Sequence, residues 1–120
     1  MQEIWFDIPK YEGLYQYSNT LKVRSVDHFA NSKNGNIKLM RGRILKPVLS
    51  EGTYACITLS KLGVKEVIQL HKFFAEKFIP NPENKKYVNH KNGNKHDYRL
   101  LNLEWATKSE DLQHAYDTGL

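Results

Sequence analysis

The feature that most constrains the fold is a polar turn held between two apolar segments, over residues 86–107. "KYVNH" (86–90) predicts a strand, and the Gly- and Asn-rich run after it predicts a long turn. "LNLEWAT" (101–107) predicts a returning strand. A helix then begins, because Thr107 and Glu110 have the spacing of a capping box. The local order is therefore strand, loop, strand, helix.

The rest of the chain predicts an α+β fold with an antiparallel, β-rich beginning. In "LHKFFAEKFIPNP" (70–82) the apolar residues fall on one helical stripe, and Pro80 and Pro82 end the helix. "NSKNGN" (31–36) has the composition of a loop. Further strands are predicted upstream of the helix, at 21–26, 43–49, 53–60 and 65–70.

Composition excludes several classes of protein. With 40% hydrophobic residues, a chain of 120 residues can bury a core. Cys56 is the sole cysteine, which excludes an intrachain disulfide and a Cys-based zinc knuckle. The sequence has no signal-peptide h-region and no apolar run long enough to cross a bilayer. We therefore expect a reduced, cytoplasmic, soluble protein with no membrane partner.

The distribution of charge indicates a polyanionic partner. The net charge is +5, and the sequence pI is about 9.3. Two groups of basic residues carry this excess: Lys33, Lys38, Arg41, Arg43 and Lys46 in the first, and Lys85, Lys86, Lys91, Lys95 and Arg99 in the second. Each group alone could be a solvated face, but the second surrounds the polar turn and favours phosphate contacts.

Three segments together carry a resemblance to a known family. "YVNHKNGNKHDYRLLNLEWATKSEDLQHA" (87–115) resembles the HNH endonucleases, specifically their phage and intron homing branch. "LHKFFAEKFIPNPENK" (70–85) is similar to the lead-in helix of that branch, and residues 3–25 are similar to a nuclease-associated module. The resemblance implies a small antiparallel β module at 1–64 that contacts DNA. An HNH nuclease domain at 65–120 then ends in a ββα-metal motif.

The resemblance also assigns the site residues. His90 takes the position of the general base, and Asn102 is the middle asparagine, which holds the loop and so orients the His90 ring. Asn89 and Asp111 take the two metal-ligand positions, where relatives commonly carry Asp and Asn in the opposite order. Oxygen ligands of this kind suit one Mg²⁺ or Mn²⁺ ion.

The implied activity is metal-dependent hydrolysis of double-stranded DNA by a phage or mobile-element protein. Nicking by a monomer and double-strand cleavage by a homodimer are both open. The predicted DNA contacts are Lys33, Lys38, Arg41, Arg43, Lys46, Lys91, Lys95 and Arg99. His114 is either an auxiliary ligand, a phosphate contact or an exposed helix residue, and His71 is either structural or a nucleic-acid contact. Two other hypotheses remain: a nucleic-acid-binding module that does not cut, and an accessory protein of phage assembly or packaging.

Overall fold

The computed structural model describes residues 2–117, which fold as two compact units. Met1–Lys46 and Lys61–Val64 belong to the first unit, and Pro47–Ser60 and Lys65–Leu120 to the second. The division at residue 64 between a β module and a nuclease domain stays a prediction. Within residues 2–117, neither helix has the length and apolar character needed to span a bilayer.

Short strands come first in the chain, and the two helices lie in its second half. The strands are β1 Trp5–Asp7, β2 Tyr15–Ser18, β3 Val23–Ser25, β4 His28–Asn31, β5 Ile37–Met40, β6 Cys56–Lys61, β7 Val64–Gln69, β8 Tyr87–His90 and β9 Leu103–Ala106. The helices are α1 Leu70–Phe78 and α2 Lys108–Asp117, and a 3-10 turn lies at Leu100–Asn102. Strands pair as β1-β2-β3, β4-β5, β6-β7 and β8-β9.

The first unit is built on the antiparallel sheet β1-β2-β3. Strand β2 pairs with both neighbours, placing Tyr17 opposite Phe6 and Val23. The side chains of Ile8, Tyr11 and Val23 are buried and form the small core of this unit. The strands are only three or four residues long, so this core is small.

One prediction for the first half of the chain is confirmed and one is wrong. The predicted loop at 31–36 is present, apart from Asn31 at the end of β4, and it forms the turn of a hairpin that pairs β4 with β5. The segment 43–49 is not a strand, since it forms only isolated bridges, from Ile44 to Arg24 and from Val48 to Cys56. Pro47 has no N–H to donate, which interrupts pairing between these two bridges.

In the second unit, helix α1 packs against the β8-β9 hairpin. Helix α1 ends at Phe78, before Pro80, as predicted, because proline disfavours a continuing helix. Its apolar stripe buries Leu70 and Phe74. Ala75 packs with Val88 of β8 and Leu103 of β9 in the core beneath the hairpin. This core fixes the hairpin, and with it the polar loop between its strands.

The predicted capping box is present at the start of α2. The Thr107 N–H donates to Oε1 of Glu110 at 3.0 Å, and the Glu110 N–H donates to Oγ1 of Thr107 at 3.2 Å. Residues in the first turn of α2, which include Asp111, therefore follow β9 in a fixed geometry.

Candidate active site

Strand β8 carries two of the predicted site residues into the interior of the second unit. Asn89 and His90 lie opposite Glu104 and Leu103 of β9, and each is only 5% exposed. Both helices pack against β8, and the successive residues Val88, Asn89 and His90 are all buried. A histidine and an amide buried side by side need polar partners or a ligand to offset the cost of their desolvation.

A cavity of about 230 Å³ brings the predicted residues together. Its walls include Asn89 and His90 from β8, Asp111 and His114 from α2, and Lys95 from the loop. Asp111 is half-buried in the first turn of α2. Both predicted metal ligands, the predicted base and one cation therefore face a single small volume.

His114 fastens α2 to the end of β8. Its Nε2 lies 2.6 Å from the backbone oxygen of His90, and because a carbonyl can only accept, the ring nitrogen is the donor. The side chain is half-buried, and the expectation of an exposed helix histidine is therefore wrong.

Asn102 holds the polar loop through its side chain. Its Oδ1 accepts from the Asn92 N–H at 3.0 Å, and its Nδ2 donates to Oδ1 of Asn92 at 3.0 Å and to the Asp97 carbonyl at 2.8 Å. The Lys91 N–H donates to the Asn102 backbone oxygen at 2.7 Å. Because Lys91 directly follows His90, this network fixes the backbone on which the imidazole is carried.

Asp97 extends the same network and changes the interpretation of Arg99. The Arg99 guanidinium donates to both carboxylate oxygens of Asp97, at 2.8 and 2.7 Å, and Asn92 donates to Oδ2 at 3.0 Å. These bonds, those of Arg99 first, hold the pKa of the Asp97 carboxyl well below its usual range. The Arg99 charge is thus already paired, so it is a weaker candidate for phosphate contact than Lys95.

Two aromatic rings from distant parts of the chain pack against His90. The Tyr54 ring stacks on His71 and His90 with centroids 4.4 and 5.5 Å apart, and the two imidazoles lie 4.7 Å apart. Burial lowers the pKa of His90 below its ordinary value, an effect that the Asp97 charge partly offsets. His90 is therefore neutral at neutral pH, which is the form that can accept a proton.

The sequence did not reveal the whole environment of His90. The sequence predicts no role for Tyr54. His71 is buried against His90, which agrees with a structural role more than with exposure to nucleic acid. An Asn-Gly turn is visible at 92–93, and it could have indicated that Asn92 bonds within the loop. No local pattern could have indicated Tyr54, which precedes His90 by more than thirty residues.

The donor set fits a hard divalent cation with few protein ligands. Across residues 2–117, no group of three or more His, Cys, Asp and Glu side chains is placed to hold an ion. Asn89 and Asp111 nevertheless offer an amide oxygen and a carboxylate toward one cavity. Two oxygen ligands leave coordination positions open for water and phosphate. Mg²⁺ is commonly bound in this way, by one or two protein carboxylates together with water and the phosphates of the substrate.

The predicted DNA-contact residues are exposed in both units, except for Lys95. Lys33 is in the β4-β5 turn and Lys38 is on β5, and Arg41, Arg43 and Lys46 follow, all exposed. In the second unit Lys91 is exposed, and Lys95 is half-buried at the cavity, where its Nζ donates to the Gly52 carbonyl at 3.2 Å. Arg41 forms an ion pair with Asp27 at 3.5 Å, whereas neither Lys33 nor Lys38 pairs with a residue that the structure describes.

Replacing Asn102 by alanine is expected to lower the free energy of unfolding by about 2 kcal/mol, since three side-chain hydrogen bonds are lost. Denaturant unfolding followed by circular dichroism measures this loss. Asn102→Asp keeps the acceptor but places a carboxylate oxygen against Oδ1 of Asn92 and the Asp97 carbonyl, so it should be at least as destabilised as Asn102→Ala. A wild-type midpoint for Asn102→Ala would show that the loop is held by other contacts.

Comparisons with known proteins match both halves of the chain. Residues 3–60 match the NUMOD4 motif, and residues 69–113 match the HNH endonuclease model. An uncharacterized HNH endonuclease of Acanthamoeba polyphaga mimivirus is 39% identical over 98% of this chain and 27% of its own length. DNA endonuclease I-HmuI of Bacillus phage SP01 is 32% identical over 96% of this chain and 59% of its own length.

A solved structure also matches. It describes DNA binding and cleavage by the HNH homing endonuclease I-HmuI, with a TM-score of 0.70 and 33% identity over 97% of this chain and 59% of that one. The predicted α+β fold is thereby confirmed. The chain spans less than two thirds of the length of these relatives.

Proposed function

We propose that this chain is a metal-dependent endonuclease that hydrolyses double-stranded DNA. It belongs to the HNH endonuclease family and carries a NUMOD4 motif before its nuclease segment. The observation that carries the proposal is the shared cavity, where a buried neutral imidazole, an amide oxygen, a carboxylate and a lysine converge. The relatives' names, which include a DNA endonuclease of a phage, support DNA as substrate and a phage or mobile element as source.

His90 acts as the general base in this proposal. Its Nε2 is fully buried, which leaves Nδ1 as the ring nitrogen able to reach a water in the cavity. Nδ1 accepts a proton from that water as the water oxygen attacks phosphorus. The bond from phosphorus to the leaving oxygen breaks, and the leaving oxygen gains a proton from solvent. Asn102 keeps His90 in place through the loop, and Lys95 attracts the phosphate.

Asn89 and Asp111 would hold the divalent ion through their side-chain oxygens. When bound, the ion supplies positive charge that stabilises the pentacovalent phosphorane and the leaving oxygen. Asn89 is held by β8 and Asp111 by the capped first turn of α2, so the fold sets the spacing of the two ligands before any ion arrives. Mg²⁺ or Mn²⁺ suits this oxygen set.

Incubation with supercoiled plasmid tests the proposed activity directly. With Mg²⁺ or Mn²⁺ we expect nicked or linear products, and with EDTA we expect none. Nicked circles alone would indicate a monomer cutting one strand, and linear products at early times would indicate a homodimer. Binding to the plasmid without any cleavage, in either metal, would instead support a module that holds DNA without cutting it.

The exposed lysines of the first unit give a prediction about binding. Replacing Lys33 and Lys38 together by glutamine should reduce the slope of log K against log salt by about 1 to 2, because about 0.9 of a counterion is released per phosphate contact. The cleavage rate at saturating DNA should change little. Fluorescence anisotropy at several salt concentrations measures the slope, with Lys22→Gln as the control because Lys22 already pairs with Glu3. An unchanged slope would remove this hairpin from the DNA interface.

A further inference from the structure

The environment of His90 contains two buried ring nitrogens with no hydrogen-bond partner. They are Nε2 of His90 and Nδ1 of His71. Among the described residues, no other buried side-chain nitrogen or oxygen atom lacks a hydrogen-bond partner. The two side chains are 5% and 6% exposed, and their ring centroids lie 4.7 Å apart with the planes tilted by 43°. Buried polar atoms are normally paired, so two neighbouring unpaired atoms call for a common explanation.

The two atoms are complementary in one pair of tautomers. A neutral imidazole has one N–H donor and one acceptor nitrogen. If His90 carries its proton on Nε2 and His71 carries its proton on its own Nε2, then the buried His90 nitrogen is a donor and the buried His71 nitrogen is an acceptor. The χ2 torsion of histidine has a broad minimum, so small ring rotations can close a contact of this kind.

The surroundings of His71 hold its ring beside His90. His71 is the second residue of α1, and the α1 start is tied down by the Leu70 N–H, which donates to the Ala55 carbonyl at 3.0 Å. The adjacent Tyr54 ring covers both imidazoles. The Ala55 N–H in turn donates to the Lys95 carbonyl at 3.3 Å, which links this segment to the loop that follows His90.

We propose that His71 is a positioning residue for His90: its Nδ1 accepts a hydrogen bond from the His90 Nε2–H and so fixes the tautomer whose Nδ1 is a free base. This inference rests on the proposed function for its catalytic consequence. In the opposite tautomer, the proton would sit on Nδ1, the nitrogen that must accept a proton from water. His71 thus acts on the reaction through His90 and touches neither water nor phosphate.

Two variants of His71 separate the acceptor from the ring. His71→Phe keeps an aromatic ring against Tyr54 but has no acceptor. His71→Asn loses the ring but places an amide oxygen at the position of Nδ1. We expect single-turnover cleavage at saturating DNA to fall on the order of ten- to a hundredfold in His71→Phe, the range found when a group that orients a ligating histidine is removed. His71→Asn should retain activity within a few fold, and DNA affinity should be unchanged in both.

The tautomer itself is measurable without cleavage. In a two-bond ¹⁵N–¹H correlation spectrum at pH 7.5, His90 should show a protonated Nε2 and an unprotonated Nδ1 in the wild type and in His71→Asn. His71→Phe should shift the proton toward Nδ1. The His90 signals are assigned from their loss in His90→Gln, and circular dichroism establishes that each variant is folded.

The outcomes distinguish this inference from the proposed function. A wild-type His90 protonated on Nδ1 would overturn the inference even if no variant of His71 folds. So would a folded His71→Phe with an unchanged His90 tautomer. A wild type that shows the expected tautomer and its loss in His71→Phe, but cuts no plasmid, would support the imidazole pair and reject the endonuclease activity.

Discussion

His90→Ala is expected to reduce DNA cleavage by about 10²- to 10⁴-fold, the usual cost of removing a general base. The physical reason is that the imidazole acts only in the chemical step, where it accepts the proton from the attacking water. DNA affinity should therefore remain close to that of the wild type. Single-turnover cleavage of supercoiled plasmid, together with anisotropy of a labelled duplex, measures both quantities on the same protein.

A matched control removes a histidine from outside the nuclease segment. His28 lies on β4, and one of its ring nitrogens is 2.9 Å from the Val26 carbonyl. His28→Ala should cut at the wild-type rate at saturating DNA, and it also tests for a contaminating nuclease that co-purifies with every variant. If His90→Ala cuts as fast as His28→Ala, then His90 is not the base, and the cavity must use another proton acceptor.

The part of the site that the sequence predicted is the part built from local structure. Asn89 and His90 are neighbours on one strand, and Asp111 follows a capping box whose spacing is visible in the sequence. A helix that directly follows a hairpin begins close to its strands, and α2 packs against both β8 and β9. The convergence of these three residues on one cavity therefore depends on short-range geometry, which sequence patterns do encode.

Two features were not predicted from the sequence: the contact of Tyr54 with His90, which depends on long-range contacts, and the β4-β5 hairpin, which is exposed. Tyr54 reaches His90 because backbone hydrogen bonds link Ala55 to both Leu70 and Lys95, and no periodicity encodes such links. The β4-β5 hairpin was missed because it is mostly exposed: Phe29 and Ile37 are each 73% exposed, so burial does not impose the alternation of apolar and polar residues by which strands are found.

Asp111→Ala is expected to suppress cleavage more severely than Asn89→Ala. Asp111 supplies the carboxylate of the proposed ligand pair, and a hard divalent cation depends more on that charge than on a neutral amide. We expect a loss of at least about 100-fold for Asp111→Ala, the upper end for groups that only orient metal ligands. Glu104→Gln is the control, because Glu104 is an exposed carboxylate opposite Asn89 in the sheet.

Metal titration separates this role from a structural one. Mn²⁺ binding followed by calorimetry should weaken strongly in Asp111→Ala and less in Asn89→Ala, and added metal should restore cleavage better in the Asn89 variant. Exchanging the ligands with Asn89→Asp and Asp111→Asn together should retain measurable activity, since ligand number and charge are preserved. Asp111 also lies in the first turn of α2, where a carboxylate stabilises the helix dipole. If Asp111→Ala cuts normally across a full Mg²⁺ and Mn²⁺ titration, then dipole stabilisation is its whole contribution, and the ion must be held by other groups of the cavity.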